Sequence, residues 1–204
     1  MIQSDGNVLF PVFIKLHKVQ TLVVGGGNVG LEKVEALLKN DPNANITVIA
    51  PLIKQELYDL AEHSDRIKLV KRKVRGWDLR KADVLILATD NYSLHVRFKN
   101  KAKRLRLLTN VADTPDLCDF YLGSTVKKGD LKIGISTNGK SPTFAKRFRQ
   151  ILEEVLPDNT QELLDQLKTI RDGLKGDFEH KVQKLNEITS VLVDKEKQNE
   201  SETD

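Results

Sequence analysis

The chain has 204 residues, 39% of them hydrophobic and 30% charged, with a net charge of +4. That is enough apolar material for one ordinary domain with an appendage, and it excludes wholesale disorder. The apolar stretch Val8–Ile14 is far short of the roughly 20 residues that span a bilayer, and no secretory cleavage site follows it, so a cytoplasmic protein without membrane partners is expected. The single cysteine, Cys118, excludes an internal disulfide framework. His17, His63, His95 and His180 are too scattered for a structural zinc site, so no metal ligands are expected.

Five short apolar runs read as buried strands: Val19–Val24, Ile46–Ala50, Ile67–Val70, Val84–Ala88 and Leu107–Val111. Helical patterns lie between them at Val29–Lys39, Ile53–His63 and Tyr92–Lys103. The alternation predicts an α/β fold, a Rossmann-like doubly wound parallel sheet whose ligands bind beyond the carboxyl ends of the strands. Within one segment Arg66, Lys68, Lys71, Arg72, Lys73, Arg75, Arg80 and Lys81 face only Asp78. Such a cluster is a solvated face or a site for an anion. No nucleic-acid-binding signature accompanies it, and no nucleic acid partner is expected.

The pattern changes after residue 113. Phe120–Val126 and Leu131–Thr137 flank Lys127-Lys128-Gly129-Asp130 and predict a hairpin. Ser141-Pro142 opens a helix that should run to about Val155, before Pro157. Asn159-Thr160-Gln161-Glu162 reads as a capping box. Leu163, Leu167, Ile170, Leu174, Phe178, Val182, Leu185 and Ile188 then recur at helical spacing, with a break expected near Gly173–Gly176. This stripe needs a partner, either the rest of the chain or a second subunit. The expected organisation is a dinucleotide-binding domain over residues 1–113, a dimerisation region over 114–148, a helical region over 149–195 and a disordered tail over 196–204.

Gly25-Gly26-Gly27-Asn28-Val29-Gly30 directly follows the first strand and opens a helix. In that context Gly25 permits the tight turn, Gly27 lets a pyrophosphate approach the backbone, and Gly30 lets the helix pack close. The helix N-terminus supplies N–H groups and partial positive charge to the phosphates. The acid that usually holds the ribose, about 20 residues further on, is replaced by Ile49-Ala50-Pro51-Leu52, which by itself favours NADP with Lys54 as phosphate partner, or weak binding. Asp90, after Thr89, and Asp113 follow the fourth and fifth strands, where they can converge on one crevice. Asp90 is equally placed to cap the next helix, whereas no helix pattern follows Asp113. Ser141, with Lys146, Arg147 and Arg149 behind it, forms a helix start suited to a carboxylate or phosphate and also reads as an ordinary cap. Cys118 reads as a packing residue.

Phe10-Pro11-Val12-Phe13, Val23–Gly30 with Lys33, Ala88-Thr89-Asp90-Asn91, Asn110-Val111-Ala112-Asp113 and Ile135–Pro142 resemble, in order and spacing, the dehydrogenase and ferrochelatase module of the siroheme synthase family. The resemblance covers about residues 8–150. It implies a homodimeric enzyme that oxidises precorrin-2 to sirohydrochlorin with NAD and, in bifunctional members, inserts ferrous iron. By motif position it implies that Asn28, Val29, Pro51 and Leu52 contact NAD, with Gly25, Gly26, Gly27, Thr89 and Asp90 around them. It also implies that Asp113 is the catalytic carboxylate and that the missing ribose acid is a family feature. Ser141, Lys146, Arg147 and Arg149 are then the candidates for holding the polycarboxylate substrate. The competing reading is a non-catalytic, NAD-responsive regulatory module, which leaves Asp113 and the Ser141 segment unexplained.

Overall fold

The computed structural model describes residues 6–174 and 178–189. They fall into two compact units, one drawn from Met1–Ser124 with Ile135–Ala145 and the other from Thr125–Gly134 with Lys146–Asp204. The first unit is built on strands β1 (Gln20–Gly26), β2 (Asn45–Ile53), β3 (Ile67–Lys71), β4 (Val84–Leu87) and β5 (Leu108–Val111). All pair in parallel in the order β3-β2-β1-β4-β5, so the doubly wound expectation holds.

Helices α1 (Asn28–Asn40), α2 (Gln55–Glu62) and α3 (Tyr92–Leu105) connect the strands. Side chains alternate across a strand, and the sheet is apolar on both faces as a result. Leu22, Val24, Leu85 and Leu87 pack against Phe98 and Ala102 of α3. Val23, Val48, Val84 and Ile86 pack on the opposite face against Val34 and Leu37 of α1 and Leu57 of α2. Near-continuous burial of β1 and β4 is what a parallel strand covered on both sides requires.

The basic segment after β3 is folded around its lone acid. Arg72 donates from Nη1 and Nη2 to the two carboxylate oxygens of Asp78 at 2.8 and 2.7 Å, and the Arg75 backbone N–H donates to the same carboxylate. The side-chain hydrogen bond from Arg72 holds Asp78 below the ordinary aspartate pKa.

The hairpin strands are β6 (Ser124–Lys128) and β7 (Leu131–Ile135), joined at Gly129, whose φ of +59° suits a tight turn. The expected start of the first hairpin strand at Phe120 is corrected: Phe120 and Leu122 pack on the sheet without joining a ladder. The Phe120 carbonyl is taken by Asn110 Nδ2 at 2.9 Å, and Asp119 exchanges bonds with the Thr109 backbone. Helix α4 spans Pro142–Val155, as the Ser-Pro start and Pro157 stop predict.

Helices α5 (Thr160–Gly173) and α6 (Phe178–Thr189) are the last elements of the described residues. The capping-box expectation fails, because Asn159 makes no side-chain cap bond. Gln161 instead binds the hairpin turn, accepting from Asp130 N–H at 2.7 Å and donating to the Asp130 carboxylate. The apolar stripe stays partly uncovered, from Leu163 at 37% to Ile188 at 45% exposure. Residues 175–177, where the break was expected, and the tail at 196–204 lie outside the described residues. No helix of the described residues is long and apolar enough to cross a membrane.

Candidate functional site

The register of β1, β2, β4 and β5 brings four strand ends to one edge of the sheet, with Gly26 opposite Ile53, Val24 opposite Leu87 and Leu87 opposite Val111. The glycine turn occupies the middle of that edge, and its four glycines are not equivalent. Gly25 has a φ of +125°, and a Cβ there would overlap the Ala88 carbonyl oxygen. At Gly26 a Cβ would stand 2.5 Å from the Leu52 carbonyl oxygen, and at Gly30 it would overlap the carbonyl of Gly25. These three are glycine because the backbone of β4, β2 and the turn itself lies against them. Gly30 therefore serves close packing of α1 on the turn.

Gly27 differs. Its φ of −86° is open to any residue, and a Cβ there would meet nothing within 4 Å. It caps α1 with no side chain to accept a first-turn N–H, so no capping side chain competes for those amides, as an anion site at a helix start requires. This is the cradle that a pyrophosphate would fill and a side chain would block. Asn28 is exposed and Val29 half-buried in the same first turn. Pro51 and Leu52 lie inside β2, which runs to Ile53 rather than ending at Ala50, and Leu52 is 80% exposed at the strand's end. Lys54 is paired with Glu56 at 2.8 Å, so it is not a free cation awaiting a phosphate.

At the end of β4 the capping question is resolved in favour of Asn91, whose side chain accepts from Leu94 N–H at 2.8 Å. Asp90 is left exposed, next in the chain after Thr89. Thr89 borders the turn directly, its methyl 3.3 Å from where a Cβ on Gly25 would stand. At the end of β5 the Ala112 N–H continues the ladder to the Leu87 carbonyl at 2.9 Å, and the chain then turns at Asp113 with a φ of +54°. A left-handed non-glycine residue costs of the order of 1 kcal/mol. Asp113 caps nothing: the 3₁₀ turn Pro115–Leu117 begins after Thr114, and among the described residues no hydrogen bond or ion pair engages the Asp113 carboxylate. Cys118 is a packing residue, its Sγ bonded to the Val111 backbone and its thiol pKa pushed up by burial.

Ser141 is the cap of α4. Its Oγ accepts from Phe144 N–H at 3.1 Å, while its own N–H donates to Thr137 Oγ1 at 3.2 Å. The preceding turn carries Asn138 and Gly139 at φ +52° and +75°. Further along α4, in the second unit, Lys146 and Arg147 are exposed, whereas Arg149 lies 3.7 Å from Glu153. Among the described residues there is no group of three or more His, Cys, Asp or Glu side chains able to hold a metal ion.

Two residues escaped the sequence reading. Asn91 was hidden by its acidic neighbour. His95 shares the buried stripe of α3 with Phe98 and Ala102, and its only sequence signal is a polar residue at an inward helical position.

A doubly wound parallel sheet with this glycine turn at its switch point defines a dinucleotide-binding domain. The chain belongs to the putative NAD(P)-binding family, whose model matches residues 12–124, and residues 128–154 match the model of the sirohaem biosynthesis protein central region. The siroheme synthase of Psychrobacter cryohalolentis is 34% identical over 176 residues, 86% of this chain and 32% of that protein. That of Nitrosospira multiformis is 34% identical over 185 residues, 89% of this chain and 39% of that protein. The motif resemblance is thus borne out, and the chain spans about a third of the length of these curated relatives. A solved structure of SirC, a precorrin-2 dehydrogenase, shares the fold with a TM-score of 0.70 at 23% identity, over 88% of this chain and 89% of that one.

Proposed function

We propose that the chain is an NAD-dependent dehydrogenase that oxidises precorrin-2 to sirohydrochlorin on the route to siroheme. The observation that carries this reading is the pairing, at one sheet edge, of an open cradle at Gly27 with an unengaged carboxylate at Asp113. Bound nicotinamide supplies the hydride acceptor. The chain's own residues do the rest. The first-turn amides of Asn28 and Val29 would hold the pyrophosphate, the bare Gly27 would give it access, Gly25 and Gly26 shape the turn, and Pro51, Leu52, Thr89 and Asp90 would border the crevice. Asp113 takes the proton that leaves the macrocycle as the hydride departs, the division expected of a positioned general base. The Glu56 partner of Lys54 disfavours a 2′-phosphate and supports NAD over NADP.

The start of α4 at Ser141, with Lys146 and Arg147, suits substrate carboxylates, while Arg149 contributes less because Glu153 shares its charge. In a bifunctional enzyme the same Asp113 carboxylate would accept pyrrole protons, one at a time, as ferrous iron enters as co-substrate. Homodimerisation through residues 114–148 is supported by Phe144 and Phe148, which are exposed one helical turn apart on α4. We assign dinucleotide binding to residues 1–113 and place the reaction in the cytoplasm, where NAD is available and a lone thiol stays reduced.

The test is anaerobic: precorrin-2 and NAD are mixed with the protein, absorbance is followed to sirohydrochlorin, and ferrous iron is then added. Formation of sirohydrochlorin supports the dehydrogenase. NAD binding without turnover would instead leave a non-catalytic module, and a spectral change on iron addition that requires the protein supports chelation.

A further inference from the structure

His95 is a buried titratable side chain that the proposed reaction does not use. It is 3% exposed, on the stripe of α3 that packs into the core. A polar ring in such a position costs free energy unless its nitrogens are bonded, and a leucine would fill the space without that cost. What the imidazole does is hold Thr89, whose Oγ1 lies 2.9 Å from His95 Nε2.

Thr89 sits at the end of β4 with its methyl against Gly25. A threonine hydroxyl has one donor and two acceptor positions. The Asn91 N–H donates to it at 3.4 Å and His95 takes a second position. One position remains, a donor if the ring donates and an acceptor if the ring accepts. In either case the side-chain torsion is fixed, and the remaining valence and the methyl are held beside the glycine turn. Burial pushes the imidazole pKa down, against the opposing pull of the Thr89 backbone and the Asp90 charge. The ring is therefore neutral at neutral pH and keeps one donor and one acceptor.

We propose that His95 is a positioning residue for the dinucleotide site, acting through Thr89 to fix the hydroxyl that borders the glycine turn. The proposal rests on the dinucleotide reading of that turn and deepens it by naming a determinant of affinity outside the cofactor's reach.

The test is calorimetric titration of the full chain with NAD, with melting temperature recorded for each variant. His95→Leu is expected to weaken NAD binding roughly tenfold, the scale of one hydrogen bond. His95→Gln, whose amide can reach the position of Nε2, should restore most of the affinity, while the shorter His95→Asn should not. In a Thr89→Val background His95→Leu should have no further effect on binding. Wild-type affinity in a folded His95→Leu protein, or an equal loss with and without Thr89, would reduce His95 to a core residue and overturn the proposal. If the leucine variant fails to fold, the Gln and Asn pair decides: equal affinities overturn it. Failure of the wild-type protein to bind NAD would remove the dinucleotide reading itself, an outcome separate from the behaviour of the variants.

Discussion

Replacing Gly27 by valine separates what the fold requires of the glycine turn from what a ligand requires. In the free protein a Cβ at Gly27 meets nothing within 4 Å and φ is −86°, so the cost is that of a poor helix cap, about 1 kcal/mol. For a chain of this size that lowers the melting temperature by about 2–4 °C. With NAD present the isopropyl group would occupy the space through which the pyrophosphate reaches the first-turn amides. The dissociation constant should rise at least tenfold, about 1.4 kcal/mol or more. Gly25→Ala is the opposite case. The new methyl would overlap the Ala88 carbonyl oxygen, and φ is +125°, so overpacking of about 1–3 kcal/mol adds to backbone strain of about 1–3 kcal/mol, and the fold itself should suffer. Titration calorimetry with NAD and thermal melting of both variants make the comparison. A Gly27→Val protein that melts near wild type and binds NAD with unchanged affinity would refute the reasoning, as would a Gly25→Ala protein as stable as wild type.

Asp113→Asn keeps the size and removes the base, so turnover of precorrin-2 should fall by about 10²- to 10⁴-fold with NAD affinity retained, as steady-state kinetics and calorimetry will show. Ser141→Asp preserves an oxygen acceptor for Phe144 N–H and suits the helix dipole, so the melting temperature should hold or rise while the Michaelis constant for precorrin-2 increases; unchanged kinetics would leave Ser141 as a cap alone. Asp78→Asn should lower the melting temperature at pH 7. Because Arg72 holds the folded-state pKa of Asp78 below its unfolded value, the stabilisation is present above about pH 3.9 and is lost as the pH falls through the folded value. The gap between variant and wild type should therefore close in acid, and a gap independent of pH would show that the pair is not its cause.

Features set by a few adjacent residues were legible in the sequence. Ser141-Pro142 and Pro157 bracket α4 because a cap hydroxyl, a ring-fixed φ and a missing N–H act within one turn of the chain. The central strands β1 and β4 were legible because burial on both faces leaves unbroken apolar runs. The glycine turn was legible as a motif, yet which glycine serves a ligand was not, since that depends on Ala88, Leu52 and Gly25 lying against three of the four. Phe120 and Leu122 have the pattern of a strand, but a strand also needs a neighbour with free backbone groups, and Asn110 had already taken the Phe120 carbonyl. Asn159 has the pattern of a cap, but its side chain makes no cap bond, and Glu162, its partner in the box, accepts from Gln166 instead. Asp113 and His95 show the limit most clearly. Local chemistry identifies a carboxylate and an imidazole, and only the register of β4 against β5 and the packing of α3 decide that one is left unengaged and the other is bonded to Thr89. Propensity and capping act over a few residues, whereas the partners of a side chain are chosen by segments that meet only when the sheet closes.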